Sequence, residues 1–175
     1  VLQQRSTHDM RWCGDEALAT EALDKGDLAN KVPHRDRVVT LQAPFTGEPR
    51  EIFKSEWRFG GLSFTEKGAA MWTESDRATR MRRTWIYDTG LGGQGRKVWE
   101  MLSEDRYRDP GSPVFRPATG KIMRVGDTIY LQGAGASPKG DRPFLDRFNL
   151  KTLTSERVWQ CDEESYESVL AVLDD

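Results

Sequence analysis

Short runs of β-branched and aromatic residues, each closed off by Gly, Pro, Asp or Thr, recur along the whole chain, and almost nothing in it repeats at helical spacing. A surface helix needs an apolar stripe at i, i+3, i+4 and i+7. A half-buried strand needs a short alternating run between turn formers. The chain supplies the second pattern. It predicts strands over 17–23, 37–42, 51–54, 61–65, 69–74, 84–88 and 97–101. Further strands are predicted over 114–116, 121–125, 128–132, 144–150, 156–161 and 168–173. The expected fold class is all-β.

Three stretches share one plan. Arg37-Val-Val-Thr-Leu41 is followed by a turn at Thr46-Gly47 and then by Arg50-Glu-Ile-Phe53. Thr84-Trp-Ile-Tyr-Asp88 leads through a Gly-rich turn to Arg96-Lys-Val-Trp99. Asp146-Arg-Phe-Asn-Leu150 leads through a turn containing Thr152 to Glu156-Arg-Val-Trp159. Each reads as a hairpin whose second strand carries two adjacent apolar residues. Val38 and Ile86 stand 48 positions apart, and Ile86 and Phe148 stand 62 apart. The first spacing suits a four-stranded propeller blade of ~40–50 residues, the second a blade with insertions, placed at 103–112 and 133–142. The expected architecture is a partial β-propeller of four-stranded antiparallel blades. A partial blade covers about 12–56, blades cover about 59–101 and 114–161, and the next begins at 166–175. If each blade buries one face against its neighbours, the core is thin and distributed. A β-sandwich of similar strand count is the competing architecture.

Composition narrows the function. The 175 residues are enough for one domain. Only 37% are apolar, but six Trp, seven Phe and four Tyr supply large buried areas. Lys+Arg number 26 and Asp+Glu 28, which argues against a general nucleic-acid binder. No run reaches the ~18 apolar residues of a membrane helix, and no signal peptide is visible in the opening residues; the compartment stays open. Cys13 and Cys161 are too few for a disulfide framework or a zinc cluster. The first residue is Val1 and the last run is Val169-Leu-Ala-Val-Leu-Asp-Asp175, so the chain is expected to be a piece of a longer protein.

The individual motifs mostly read as structure. Gly90-Leu-Gly-Gly-Gln-Gly95 matches the dinucleotide-binding pattern, but the residues after it are strand-like where that site needs a helix. It reads as a hairpin turn. Gly133-Ala-Gly-Ala-Ser-Pro-Lys-Gly140 lacks the Gly-Lys-Ser/Thr ending of a phosphate loop, and Pro138 removes a backbone donor; it reads as an exposed inter-strand loop. His34 and Asp36 would share a face of a strand, but no Gly-x-Ser-x-Gly elbow accompanies them, so His34 reads as a surface hairpin residue. His8 lies near the N-terminus. No pair of His or Cys has metal-ligand spacing, so neither a metal nor a cofactor is expected. The run Arg77-Ala-Thr-Arg80-Met-Arg82-Arg83 is placed at a hairpin tip. It admits a solvated loop, a stacking surface for single-stranded nucleic acid, or a cationic tip facing a substrate or another domain; the overall acidity and nearby Glu74 and Asp76 favour the first. Asp162-Glu-Glu164 reads as a solubilising loop, and Trp57, Trp72, Trp85, Trp99 and Trp159 as packing between blades.

Longer strings then carry a resemblance. Glu21-Ala-Leu-Asp-Lys-Gly-Asp27, Val32-Pro-His-Arg-Asp-Arg37 and Gln42-Ala-Pro-Phe-Thr-Gly47 resemble the propeller of the glutamyl endopeptidase group, within the prolyl oligopeptidase family of serine peptidases. The likeness continues through Asp105-Arg-Tyr-Arg-Asp-Pro-Gly-Ser-Pro113, Ile129-Tyr-Leu-Gln-Gly133, the loop to Arg147, and Ser165-Tyr-Glu167. It covers most of the chain from about Ala17 onward. The resemblance implies a parent with an N-terminal propeller and a C-terminal α/β-hydrolase domain. The parent's Ser/Asp/His triad cuts peptides by acyl transfer without a metal, with a preference for Glu. None of the triad maps onto this chain, so its catalytic residues are expected to lie elsewhere and the chain alone to be inactive.

The resulting expectation is a propeller segment that gates peptide access to the parent's hydrolase domain. Arg77, Arg80, Arg82 and Arg83 are the candidate substrate-facing residues. The expected partners are peptide substrates and that hydrolase domain, with no nucleic acid and no membrane. Uncovered blade edges are expected to make the fragment self-associate. The competing function is a non-catalytic propeller acting as a binding or scaffold module.

Overall fold

The computed structural model describes residues 11–13 and 16–173; His8 lies outside them, as does the end of the 166–175 run. The described chain is all-β and no sheet closes on itself. It divides into two compact units, Val1–Gly61 with Thr73–Ala78, and Leu62–Trp72 with Thr79–Asp175.

One sheet runs in chain order through β1 (Arg11–Cys13), β2 (Glu16–Ala22), β3 (Asp36–Gln42) and β4 (Arg50–Ser55), every pair antiparallel. A second sheet has the same consecutive order: β5 (Arg58–Phe64), β6 (Ala70–Asp76), β7 (Met81–Tyr87) and β8 (Arg96–Leu102). The third is built on β13 (Thr128–Gly133), β16 (Phe144–Asn149) and β17 (Thr154–Gln160), with short pieces lining the free edge of β13. Consecutive antiparallel order is what short polar turns between alternating strands produce.

The core of the first unit is small. Ala17, Leu18 and Ala19 on β2 and Val38 and Val39 on β3 are buried, and Phe53 and Phe59 meet at 6.2 Å between ring centres. The second unit holds the larger core: Ala69, Met71, Ile86, Ile122, Ile129, Leu131, Phe148 and Leu150, flanked by Leu91, Val98, Trp99 and Leu153. Here the one-sided burial expected of each sheet does not hold. Ile129 and Leu131 face this core, while Tyr130 between them packs with Val114 and Met123 on the other face, covered by Val125, Leu145 and Val172. Three successive buried apolar residues on one strand mean that both faces of β13 are covered.

The three stretches of shared plan are the antiparallel pairs β3–β4, β7–β8 and β16–β17, and each carries a register shift at the same place. The shifts fall between Val38 and Val39, Thr84 and Trp85, and Leu145 and Asp146. Opposite them Ile52, Val98 and Val158 have no Cα partner, while Phe53, Trp99 and Trp159 pair with Val38, Thr84 and Leu145. The two adjacent apolar residues of each motif are thus a bulged residue and the aromatic after it. A strict alternation would send these neighbours to opposite faces, and a bulge re-aims one of them. The structural register therefore sets Val38 against Thr84 and Leu145, not against Ile86 and Phe148.

The insertions also differ from expectation. The edge facing β13 consists of β9 (Ser112–Pro113) and β12 (Arg124–Val125), which pair with Leu131–Gln132 and Thr128–Ile129. Between them the chain leaves the edge as a hairpin, β10 (Phe115–Arg116) and β11 (Lys121–Ile122). Val114 donates to Tyr130 O and Met123 to Val114 O, closing the neck of the excursion. Strands expected over 114–116 and 121–125 are thus broken by this neck. The loop expected at 133–142 contains a small hairpin of its own, β14 (Ala136–Ser137) and β15 (Gly140–Asp141). The strand expected over 168–173 does not form. A strand needs a partner for its backbone groups, and Leu170 and Leu173 stand 97% and 77% exposed.

Candidate functional site

The Arg77–Arg83 run does not sit on one tip. Residues 77–80 form the turn between β6 and β7, and Arg82 and Arg83 already belong to β7. Arg80 faces Glu104 at 3.1 Å, Arg82 faces Asp109 at 3.8 Å, and Arg83 donates from Nε to Glu100 at 2.9 Å across the β7–β8 pair. Glu100 is held below its ordinary pKa, first by Lys97 and then by Arg83. Arg77 is exposed and forms no ion pair among the described residues. The run was legible as basic, but its carboxylate partners lie 17 to 27 residues on and carry no local signal.

Two other charge clusters were not foreseen, and both are buried. In the first unit, Arg58 at the start of β5 donates to the carboxylates of Asp24 and Asp36, the latter at 2.5 Å. Asp24 also accepts from Arg35 at 2.9 Å and from Gly26 N at 2.9 Å, and Asp36 accepts Phe59 N at 2.7 Å. The cluster ties the β2–β3 connection to β3 and to the start of β5. Only its Asp24-Lys-Gly26 turn is a sequence signal. In the second unit, Arg124 donates to Asp88 at 2.5 Å and to Gly126 O at 2.9 Å. Asp88 caps the single 3-10 turn Thr89–Leu91 by accepting Gly90 N at 2.8 Å. Both clusters use their charges on each other, which suits positioning of backbone more than chemistry on a ligand.

Burial pushes the Asp24 carboxyl up, but hydrogen bonds from Arg35, Gly26 N and Arg58 outweigh it and hold the group below the usual value. The unfolded aspartate titrates at about 3.9. The stability this group contributes is therefore complete above that value and is lost as pH falls through the lower folded one. Urea midpoints measured against pH should hold steady down to about pH 5 and fall below about pH 4. Asp24→Asn should weaken that acid dependence.

The remaining motifs are structural in this geometry. Gly90–Gly95 forms the capped turn and no helix follows it. In 133–140, Ser137 Oγ donates to Gly140 O at 2.7 Å and accepts Lys139 N at 3.2 Å, which closes the small hairpin. His34 is half-buried, but the Asp36 carboxylate that would orient it is taken by Arg58 and Phe59 N. Asp162 accepts Glu164 N, Ser165 N and Ser165 Oγ at 2.7–2.9 Å; the Ser165 bonds come first in lowering its pKa. Cys161 is buried and its Sγ accepts Glu167 N at 3.2 Å. Trp72 and Trp85 stack at 6.0 Å within one sheet, while Trp99 meets Phe148 of the next edge-on at 5.5 Å. Among the described residues no three His, Cys, Asp or Glu side chains form a metal-holding group, and no helix is long and apolar enough to cross a membrane.

Comparison with known proteins gives the strings of the sequence a wider context. No family model matches the chain. A protein of Arabidopsis thaliana, "Probable glutamyl endopeptidase, chloroplastic", is 34% identical over 98% of this chain and 20% of its own length. Its namesake in Oryza sativa subsp. japonica is 36% identical over 89% of this chain and 18% of its own. A solved oligogalacturonate lyase in complex with manganese aligns over 82% of this chain and 50% of its own, at 12% identity and a TM-score of 0.30, too slight a likeness to argue from. Over nearly its whole length the chain is a relative of the glutamyl endopeptidases, and it spans about a fifth of their length.

Proposed function

We propose that this chain is a β-propeller segment of a serine peptidase of the prolyl oligopeptidase type, glutamyl endopeptidase-like, which gates peptide access to a hydrolase domain encoded elsewhere in the same gene. The observation that carries the reading is the 34% identity over 98% of the chain to a protein about five times as long that bears the endopeptidase name. Three consecutive sheets ending in the same bulged hairpin support the propeller part, because a propeller is a series of four-stranded antiparallel units. The gating role follows from size: turns around a propeller mouth admit flexible peptides and reject folded proteins.

The test uses the intact gene product beside the 175-residue chain. The intact protein should cleave short peptides after Glu, spare folded proteins, and lose activity to a serine-directed fluorophosphonate, while the chain alone cleaves nothing. An intact protein that fails to react with the reagent would favour the scaffold reading. Cleavage by the 175-residue chain would end the proposal. Of Arg77, Arg80, Arg82 and Arg83, Arg77 is the one with no ion pair among the described residues, and its charge is the one proposed to meet a substrate. Arg77→Glu in the intact protein should lower kcat/KM for Glu peptides by roughly threefold, the scale of one exposed charge contact. An unchanged kcat/KM removes Arg77 from the substrate path.

A further inference from the structure

β4, β8 and β17 are each the last strand of their sheet, and among the described residues no strand pairs with them on the outer side. They run six, seven and seven residues. A regular edge of that length offers a row of unpaired N–H and C=O groups, which is a template for a strand of another molecule. Their composition invites such pairing. Ile52-Phe53, Val98-Trp99 and Val158-Trp159 are strong strand formers, and Ile52 and Val158 stand 44% and 47% exposed.

All three edges are interrupted at the same point. Val38 and Val39 pair with Phe53 and Glu51, Thr84 and Trp85 with Trp99 and Lys97, and Leu145 and Asp146 with Trp159 and Arg157. The inner strand runs on without a gap, and the edge strand carries one residue too many. That extra residue bends the strand and raises its twist, so the outer backbone groups on its two sides no longer form one row. A charged pair stands directly before it in every copy: Arg50-Glu51, Arg96-Lys97 and Glu156-Arg157. Arg96 is half-buried and the other five are exposed. A strand laid along the edge would have to cover them. Packing inside the sheet does not account for all three bulges. Val98 lies against the core of the second unit, whereas Ile52 and Val158 are largely exposed. What the three share is a place on a free edge.

We propose that the bulged residue and the charged pair before it guard these outer edges against pairing with a second copy of the chain. Self-association of the kind expected from uncovered edges is thereby kept off β4, β8 and β17. The inference goes beyond the peptidase reading and holds whether or not the gene product cleaves peptides.

The experiment deletes Val158 from the 175-residue chain. Because Trp159 and Arg157 already face successive residues of β16, the ladder closes without moving another pair. Val158→Ala keeps the extra residue and is the control. Sedimentation velocity at rising concentration should give the deletion variant a dimer dissociation constant lower by about tenfold or more than that of the unaltered chain or of Val158→Ala. Hydrogen exchange locates the contact: amides 154–160 should gain protection with concentration in the deletion variant alone. Near-ultraviolet circular dichroism checks that the fold is kept, and deletion of Ile52 repeats the test on β4. Equal association of the three proteins, or new protection confined to other strands, would overturn the proposal. So would concentration-dependent protection of 154–160 in the unaltered chain. Loss of the fold in both deletion variants would overturn it as well, because the sheet itself would then need the extra residue.

Discussion

Gly135→Ala lowers the stability of the chain by about 4 kcal/mol, combining left-handed strain of about 1–2 kcal/mol with a backbone collision of about 2–3 kcal/mol. Gly135 has φ +61°, and a Cβ built there lies 2.0 Å from the carbonyl oxygen of Arg142. Carbonyl oxygens of a paired backbone cannot step aside as a flexible side chain does. Arg142 N in turn donates to Gly135 O at 3.0 Å, so the two segments are locked at that approach. The ring of Phe144 closes the remaining side at 3.2 Å. Thermal unfolding followed by circular dichroism should show a Tm roughly 10 °C lower. Gly126→Ala is the comparison: its φ is +58°, but nothing lies within 4 Å of the added carbon. It should cost only the strain, about 1 kcal/mol. Equal losses in the two variants would show that close approach is not what Gly135 provides.

Arg58→Met is the second large effect, expected to cost about 3–5 kcal/mol, because removing one member of a buried ion cluster leaves carboxylates without compensation. Asp24 keeps Arg35, whereas Asp36 keeps only the backbone N–H of Phe59. The deficit therefore falls mainly on Asp36, and Arg58→Met with Asp36→Asn should recover part of the loss in urea titrations. Arg80→Met removes a guanidinium whose partner Glu104 is 73% exposed, and should change stability by less than about 0.5 kcal/mol. A similar cost for Arg58 and Arg80 would mean that burial does not set the value of these pairs.

The strands were legible where alternation and turn chemistry agreed. Thr128–Gln132 has β-branched and aromatic residues with Gly126-Asp127 before it and Gly133 after it, and β13 occupies Thr128–Gly133. The repeated hairpins were legible for the same reason, and their adjacent apolar residues were recorded without their cause, the bulge. What failed depended on partners distant in sequence. The 168–173 run has strand composition, but composition does not supply a neighbouring strand. Met81-Arg82-Arg83 was placed in a hairpin tip because it lies between two predicted strands, yet it opens β7 and Arg83 is held in place opposite Glu100. Neither buried cluster was read from the sequence, since Arg58 lies 34 positions from Asp24 and Arg124 lies 36 from Asp88. Apart from Arg77, the basic run is engaged with carboxylates of its own surroundings, a state that charge counting along the chain does not reveal.

The hairpin looped out between Val114 and Met123 does not end in solvent. Ile122 bridges to Thr65 and accepts Glu66 N at 3.0 Å, while Arg116 donates to the Glu66 carboxylate at 2.6 Å. A loop that interrupts one sheet thus serves as a rivet into the turn that joins β5 to β6. Among the described residues it is one of three links between these strands and the β13 sheet, beside the apolar core that Ile86 shares with Ile129 and Phe148 and the bonds from Arg96 to Leu150 O and Lys151 O. Because its polar anchors stand at the edge of that core, the hairpin fixes by charge and backbone what the core fixes only by apolar contact.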